Sequence, residues 1–227
     1  MRARIQLRRS DHGHRSVVRR AVVDPAPAVE NGWTTWQGLT PVLPVLASST
    51  VGRFVVGPAG FVGMMPAGDG LVQWWFDAPS DAGLLRDRFA GYPHLVQELL
   101  DGIRDSDVDS FAHVVHRVPT RWGVGPVTLV GDAAHAFPPT QAQGANQALE
   151  DAAVLARELR GPGTISDRLR RYETERAPRV RRLSRLAASE ATNKLPAFPL
   201  RCAQSILPPR WAGLRYLALI RRWSSVL

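Results

Sequence analysis

Cysteine, lysine and long apolar runs are all scarce in this sequence of 227 residues. The single cysteine, Cys202, excludes an intrachain disulfide and a thiolate metal site built by this chain alone. No apolar run approaches the roughly 18 residues that a membrane-spanning helix needs. The basic N-terminus is not followed by the apolar stretch of a secretory signal, so we expect a cytoplasmic protein.

The positive charge of the chain comes almost wholly from arginine. The net charge is +9, and Lys194 is the only lysine among the 29 basic residues. A charge of this size often indicates nucleic-acid binding. Here the arginines are scattered, apart from a run between Arg168 and Arg185, and the abundance of alanine, glycine, proline and valine is typical of GC-rich coding DNA. We therefore expect no nucleic-acid partner.

Aromatic and β-branched residues are concentrated between Trp33 and Asp77, a composition typical of strands. With a further run at 111–118, they predict an antiparallel sheet, and residues 66–70 suit a hairpin loop. The predicted strands are residues 33–36, 53–56, 61–65, 71–76 and 111–118. Two helices are expected after the fourth strand, one capped by Ser80 and one beginning near Pro93.

Several side chains of this predicted sheet have two interpretations. Four tryptophans suit either the core or an apolar pocket, and the pattern leaves both open. They are Trp33, Trp36, Trp74 and Trp75. His113 and His116 are predicted to be polar positions on a half-exposed strand rather than metal ligands, because no acidic or cysteine partner stands at ligand spacing. No metal site is predicted.

A short apolar run at residues 127–130 predicts a strand that is buried on both faces. Gly131 and Asp132 follow it directly. Open α/β sheets bind ligands at the carboxyl ends of their strands, where a carboxylate can accept hydrogen bonds from sugar-like hydroxyls. Gly131 would let the backbone turn and approach such a ligand closely.

A helix is predicted to begin at Gln143 and to end before Gly161. Its apolar residues recur at helical spacing and predict one stripe that packs closely against a sheet. The stripe consists of Ala145, Ala148, Leu149, Ala152, Leu155, Ala156 and Leu159. Gly144 offers no side-chain oxygen to cap the first backbone N–H groups, which are therefore free to bind water or a ligand with partial negative charge.

These segments together resemble the second flavin motif of the class A flavoprotein monooxygenases, the para-hydroxybenzoate-hydroxylase-like family. The matching residues occur in a fixed order, at 131–135, at Pro138 and Pro139, at 143–148 and at 150–152. Weaker similarity extends the resemblance over about residues 1–190. It includes 12–19, which resembles the family's middle motif, 33–37, Trp122 and 172–179.

The resemblance implies an α/β (α+β) fold. A partial three-layer FAD-binding domain would accompany an antiparallel substrate-domain sheet and C-terminal helices. In this interpretation residues 1–30 are a remnant of the FAD-binding domain and residues 31–120 form the substrate domain. Residues 121–190 carry the second flavin motif with its helices, and residues 191–227 form a basic amphipathic helix.

The resemblance also implies roles for the matching residues. Gly131 and Asp132 would bind the flavin, with the Asp132 carboxylate on the ribityl hydroxyls. Pro138 and Pro139 would shape the loop beside the reactive face of the isoalloxazine. Three backbone amides would face its N1–C2=O edge, where reduced flavin carries negative charge. They belong to Gly144, Ala145 and Asn146.

The implied activity is that of an FAD-dependent monooxygenase, in which NAD(P)H reduces the flavin and a small organic substrate, aromatic in one interpretation, is hydroxylated. His135 is expected to belong to a structural turn of the motif. No acid–base residue is assigned, so the catalytic residues stay unknown.

Three departures from the family pattern bear on this activity. The glycine-rich G-x-G-x-x-G turn that holds a dinucleotide pyrophosphate is not found, since Gly13 is the only glycine before Gly32. His12 stands where the middle motif has aspartate, and Ala142 stands where the family often has glycine. We therefore expect a truncated enzyme whose activity by itself is doubtful, with a non-catalytic remnant as the alternative.

The C-terminal segment suggests a third class of function. Between residues 205 and 225, apolar side chains alternate with arginines in a basic amphipathic pattern. Such a helix can lie on a membrane surface, cover its own domain or contact a partner subunit. The sequence indicates no particular oligomeric state.

Overall fold

The computed structural model describes residues 13–81 and 83–190, together with the single positions 211, 214, 218, 221 and 222. Cys202, His12 and most of the amphipathic helix predicted within 205–225 lie outside the described residues, so these predictions stay predictions. The described chain divides into two units. One consists of residues 30–113, and the other contains residues 13–29 and 114–190.

The unit of residues 30–113 contains a five-stranded sheet. Its strands are β1 (Val29–Pro41), β2 (Arg53–Gly57), β3 (Gly60–Gly68), β4 (Leu71–Pro79) and β5 (Asp109–Val115). They lie in the order β2-β3-β4-β1-β5, and β1 with β4, β2 with β3 and β3 with β4 pair antiparallel. Asp69 and Gly70 connect β3 to β4, both with positive φ, as a two-residue hairpin favours. The predicted antiparallel sheet is confirmed, with a shorter loop than predicted.

One face of this sheet forms a hydrophobic core with α3 (His94–Gly102). Trp36 and Trp74 contribute to that core. Because alternate residues of a strand point to opposite sides, Trp33 and Trp75 lie on the other face. Two of the four tryptophans thus belong to the core, and the other two lie on the opposite face of the sheet.

The first of the two predicted helices begins later than expected. Ser80 caps no helix, because its backbone N–H donates to the carbonyl of Gly32 at 2.8 Å and its hydroxyl bonds to that of Thr34 at 2.9 Å. These bonds extend the pairing of β4, and α2 (Leu85–Arg88) follows Leu84. The second helix is confirmed, since α3 begins directly after Pro93.

The other unit contains four α-helices among its residues 13–29 and 114–190. They are α1 (Val17–Val22), α4 (Asp132–His135), α5 (Gly144–Leu159) and α6 (Ile165–Glu190). α6 continues through Pro178 without interruption. Ala177 and Val180, on either side of this proline, are both buried and hold the helix against its core.

The strand predicted at residues 127–130 was also wrong. These residues pair with no strand in the described parts of the chain, and Val130 is 45% exposed. A β-strand is stabilised by hydrogen bonds to a neighbouring strand. Here side chains donate hydrogen bonds to the backbone carbonyls instead. Arg170 donates to the carbonyl of Val127 at 2.9 Å, and the Tyr172 hydroxyl donates to that of Leu129 at 3.3 Å.

The apolar stripe predicted on α5 is only partly correct, because Leu155 packs against the core but four of the seven residues are exposed. The fully buried side chains of α5 are Gln147, Asp151 and Val154. Leu149, which was assigned to the stripe, is 69% exposed. Ala145, Ala152 and Ala156 are exposed as well. Gln147 and Asp151 are buried because they take part in a network of hydrogen-bonded ions described below.

Candidate cofactor site

The turn at Gly131 has a backbone conformation that only glycine adopts readily. Its φ is 57° and its ψ is −145°. Its carbonyl accepts hydrogen bonds from the backbone N–H groups of Ala134 at 2.8 Å and His135 at 3.0 Å. Its own N–H donates to Oδ2 of Asp151 at 2.8 Å. The hydrogen bond from Gly131 to Asp151 thus fixes the turn before Asp132 to α5.

Asp151 is the centre of a fully buried ion network. Nε2 of His135 lies 2.7 Å from its Oδ2, and Nε of Arg176 lies 2.8 Å from its Oδ1. All three side chains are inaccessible to solvent. Burial raises the pKa of the Asp151 carboxyl, but the hydrogen bonds from His135, Arg176 and Gly131 outweigh it and hold that pKa below its ordinary value. Asp151 is therefore a carboxylate, charge-matched to Arg176.

Arg176 extends this network along α5. Its guanidinium also donates to Oε2 of Glu150 at 2.6 Å and to Oε1 of Gln147 at 2.8 Å. The ring centroids of Trp122 and His135 lie 5.3 Å apart. His135 thus joins the turn to α5 inside the protein, which agrees with its expected structural role.

A second buried arginine joins the middle motif to the second flavin motif. Arg19 in α1 is 1% exposed and donates to the carbonyls of Ala133 at 3.1 Å, Ala134 at 2.9 Å and Arg117 at 2.8 Å. Burial lowers its pKa from the ordinary arginine value. The two motifs are more than a hundred residues apart in sequence, and these bonds bring them into contact.

The glycine of the middle motif lies directly against the predicted ligand-binding carboxylate. Gly13 has a φ of 38°, and a Cβ at this position would lie 3.4 Å from Cβ of Asp132. Asp132 is the first residue of α4 and is exposed. Its carboxylate makes no hydrogen bond to any residue that the structure describes, so it is available to a ligand.

The predicted loop and helix start lie on the chain that follows. Pro138 is buried and Pro139 exposed, and Oγ1 of Thr140 fixes their loop by donating to the carbonyl of Ala187 at 2.9 Å. α5 then begins at Gly144, and its N-cap residue Gln143 makes no side-chain capping bond. The first backbone N–H groups of α5 are therefore uncapped. They belong to Gly144, which is half-buried, and to Ala145 and Asn146, which are exposed.

The donor set suits part of a flavin. Asp132 offers an acceptor for sugar-type hydroxyls, and the start of α5 offers N–H donors with the positive end of a helix dipole. A carbonyl edge that gains negative charge is stabilised by such donors. No group of histidine, cysteine, aspartate and glutamate that could hold a metal ion occurs among the described residues.

Sequence reasoning missed the residues that hold this site in place. Arg19, Asp151 and Arg176 all lie inside the segments that carried the family resemblance, but none of them received a role. A charged residue inside a motif is the only signal that the sequence offers. The pairing of Asp151 with Arg176, 25 positions apart, becomes visible only when α5 and α6 are folded together.

Comparison with known proteins shows which enzymes this chain is similar to. A family model described as an FAD binding domain matches residues 95–187. An FAD-dependent urate hydroxylase of Klebsiella oxytoca is 34% identical over 170 residues, which are 67% of this chain and 42% of that enzyme. A 3-amino-4-hydroxybenzoate 2-monooxygenase of Streptomyces cremeus is 34% identical over 184 residues, 77% of this chain and 46% of that enzyme. The chain is a relative of the class A FAD-dependent monooxygenases.

Solved structures of class A monooxygenases agree with this relationship. The crystal structure of Klebsiella pneumoniae HpxO complexed with FAD and uric acid matches with a TM-score of 0.74 and 30% identity, over 80% of this chain and 50% of that one. The resemblance and the α/β fold predicted from the sequence are confirmed. The chain spans about half the length, or less, of these class A relatives.

The described positions between residues 205 and 225 are helical. Trp211 and Leu214 are helical and exposed. Among the described residues, no helix combines the length and the apolar character needed to cross a bilayer.

Proposed function

We propose that this chain forms the ribityl- and pyrimidine-binding side of an FAD-dependent monooxygenase. Two observations carry the proposal: Asp132 is exposed and bonds to no described residue, and the start of α5 is uncapped. Both are held by a buried network that leaves the turn at Gly131 little freedom.

Each candidate residue has a separate task in this proposal. The Asp132 carboxylate accepts hydrogen bonds from the ribityl hydroxyls. The amides of Gly144, Ala145 and Asn146 donate to the N1–C2=O edge and stabilise negative charge there. Pro138 and Pro139 keep the loop rigid and apolar beside the ring. When bound, FAD supplies electron transfer from NAD(P)H to oxygen, for hydroxylation of a small organic substrate.

The names of the relatives support a small ring-containing substrate. They include enzymes named for urate and for 3-amino-4-hydroxybenzoate. In our proposal the substrate of this protein is likewise a small, flat organic molecule.

We place the binding of the ADP half of FAD outside these 227 residues. The glycine-rich turn that holds a pyrophosphate is not found in the sequence, and the matched relatives are about twice as long. Supplying a polypeptide that carries a glycine-rich dinucleotide-binding unit tests this directly. The two polypeptides together should give NAD(P)H-dependent oxygen uptake, and the 227-residue chain by itself should not.

Comparing two flavins tests which half of the cofactor this chain binds. The 227-residue protein is titrated with FMN and with FAD, and binding is followed by flavin fluorescence. If only the ribityl and ring side is held, the two dissociation constants should agree within about twofold, since the adenylate adds no contact. Binding of FAD more than about tenfold tighter than FMN would contradict this division.

A further inference from the structure

A cleft of about 500 Å³ lies beside the start of α6, within the unit of residues 13–29 and 114–190. Its walls are formed by the end of α1, by the loop of residues 119–125 and by the first turns of α6. This volume is within the range of small-molecule binding sites. Gly131, Asp132 and the start of α5 do not line the cleft, so it is separate from the candidate cofactor site.

The polar side chains of the cleft offer hydrogen-bond donors but no carboxylate. They belong to Thr120, Arg121, Ser166 and Arg170. The guanidinium of Arg121 is exposed and, like the hydroxyls of Thr120 and Ser166, forms no hydrogen bond or ion pair with any residue that the structure describes. A negatively charged ligand would therefore find positive charge and free donors in the cleft, and no acidic side chain that lines it would repel the ligand.

Arg170 holds one wall of the cleft and keeps one donor free. Its Nη1 donates to the carbonyl of Gly123, and its Nη2 donates to the carbonyl of Val127 at 2.9 Å. Nη2 also donates to Oε1 of Glu173 at 2.7 Å. Each of these terminal nitrogens has two N–H groups, so the second N–H of Nη1 makes no bond to any residue in the described part of the chain. The side chain thus fixes the loop and still has a donor for a ligand.

The loop of residues 119–125 is held in one conformation. A Cβ on Gly123 would lie 2.1 Å from the carbonyl oxygen of Val127, so only glycine permits this close approach. Gly125 has a φ of 53°, in the left-handed region that favours glycine. Nε1 of the fully buried Trp122 donates to the carbonyl of Pro119 at 3.1 Å. The cleft is thus preformed, which lowers the entropy cost of binding a ligand.

The other side chains that line the cleft are apolar. Val22 and Val23, at the end of α1, are half-buried, and Val124 in the loop is 65% exposed. Pro119 also lines the cleft. A phosphate ion is polar on every side and would gain nothing from these surfaces. A ligand with a hydrocarbon chain would remove them from water, which stabilises the complex.

We propose that this cleft binds an aliphatic carboxylate. The carboxylate pairs with the Arg121 guanidinium, whose planar set of N–H groups matches the two carboxylate oxygens. The Ser166 hydroxyl and the free N–H of Arg170 complete its hydrogen bonds. The hydrocarbon chain lies against Val22 and Val124. This second site goes beyond the proposed function and uses none of the residues assigned to the flavin.

Matched probes test the inference on the 227-residue protein. Hexanoate, its uncharged amide hexanamide, and acetate are titrated, and binding is followed by the NMR shifts of the backbone amides of Gly123 and Gly125. Hexanoate should bind about tenfold more tightly than hexanamide, as one charge-assisted hydrogen bond would provide. It should also bind at least about tenfold more tightly than acetate, which lacks four of its methylene groups. Equal affinities within either pair, or unshifted glycine amides, would overturn the proposal.

A charge-removing variant identifies the arginine responsible. Arg121→Gln removes the exposed guanidinium without breaking any bond to a described residue, so the fold should be kept. It should weaken hexanoate binding about tenfold and leave hexanamide binding unchanged. Arg160→Gln is the control, because Arg160 is an exposed arginine of the same unit that does not line the cleft. Hexanoate affinities that are the same in the two variants count against the proposal.

A competition experiment separates this site from the flavin site. The hexanoate titration is repeated with FMN in excess, and the dissociation constant of hexanoate should be unchanged. Displacement of hexanoate by FMN would place the carboxylate in the candidate cofactor site and would contradict a second site. Hexanoate binding is measured without FMN in the other experiments, so a failure of flavin binding and a failure of carboxylate binding are separate results.

Discussion

Nε of Arg176 lies 2.8 Å from Oδ1 of Asp151, and neither side chain is accessible to solvent. The other oxygen of Asp151 accepts from the backbone N–H of Gly131 and bonds to His135. One carboxylate thus determines the position of the turn that presents Asp132. The exposed carboxylate that we propose for flavin binding therefore depends on a buried ion pair.

Removing the charge of Asp151 should destabilise the protein severely. Asp151→Asn leaves Arg176 as a buried charge with a weakened partner, and such losses cost about 3–5 kcal/mol. Urea denaturation measures the change in the free energy of unfolding. Glu158→Gln is the control, because Glu158 pairs with the partly exposed Arg157 and Arg171, and each such pair contributes at most about 1 kcal/mol. Equal losses in the two variants would contradict the central role of Asp151.

Asp151 should also contribute to acid unfolding. Its pKa in the folded protein is below the ordinary value of about 3.9 that it has when unfolded. Its stabilising contribution is therefore complete above about pH 4 and is lost as the pH falls through the folded pKa. As the pH is lowered through this acid range, the free energy of unfolding of Asp151→Asn should fall less steeply than that of the wild type. Asp105→Asn, at an exposed carboxylate, should keep the wild-type slope.

His116 should also lower the stability of the protein as the pH falls, in a range above the one in which Asp151 titrates. Burial, reinforced by nearby Arg19, lowers its pKa from the ordinary value of about 6.5. As the pH falls, His116 therefore takes up a proton at a higher pH in the unfolded chain than in the folded protein. The contribution of His116 is present above about pH 6.5 and is lost as the pH falls through the folded pKa. His116→Gln should remove this decrease, while His94→Gln, at an exposed histidine, should not. A decrease that persists in His116→Gln would contradict the assignment.

The family departure at Ala142 has a physical cost. Ala142 has a φ of 50° and lies in the left-handed region, where a Cβ is unfavourable. Ala142→Gly should therefore raise the free energy of unfolding by about 0.5–1 kcal/mol. Ala153→Gly, at an exposed position inside α5, should lower it by about the same amount. Thermal or urea unfolding of the pair measures both, and destabilisation by Ala142→Gly would contradict the strained conformation.

The sequence predicted those features that depend on local pattern. Strand composition located the antiparallel sheet, and Pro93 located the start of α3. It failed at residues 127–130, because an apolar run shows that a segment can be a strand but not whether a neighbour exists to pair with it. It failed on α5 because helical spacing was searched for apolar residues, whereas the buried face carries Gln147 and Asp151.

The sequence predicted the exposed residues of the candidate site but not the buried residues that hold them in position. Asp132 and the uncapped start of α5 follow from the motif and from the glycine at position 144. The support by Arg19 and Arg176 depends on contacts between distant segments, which no pattern of spacing contains. The same is true of His113, which was predicted to be half-exposed but is only 1% exposed, in a cluster with Thr35 and Asp77 from two other strands.

The most direct test of the account is an FMN titration of three proteins: the wild type, Asp132→Asn and Asp105→Asn. Loss of the charged acceptor at Asp132 should weaken FMN binding about tenfold, the free energy of one charge-assisted hydrogen bond. Asp105→Asn, which neutralises an exposed carboxylate in the other unit, should bind FMN as the wild type does. Indistinguishable dissociation constants for Asp132→Asn and the wild type would contradict the claim that this carboxylate holds the flavin.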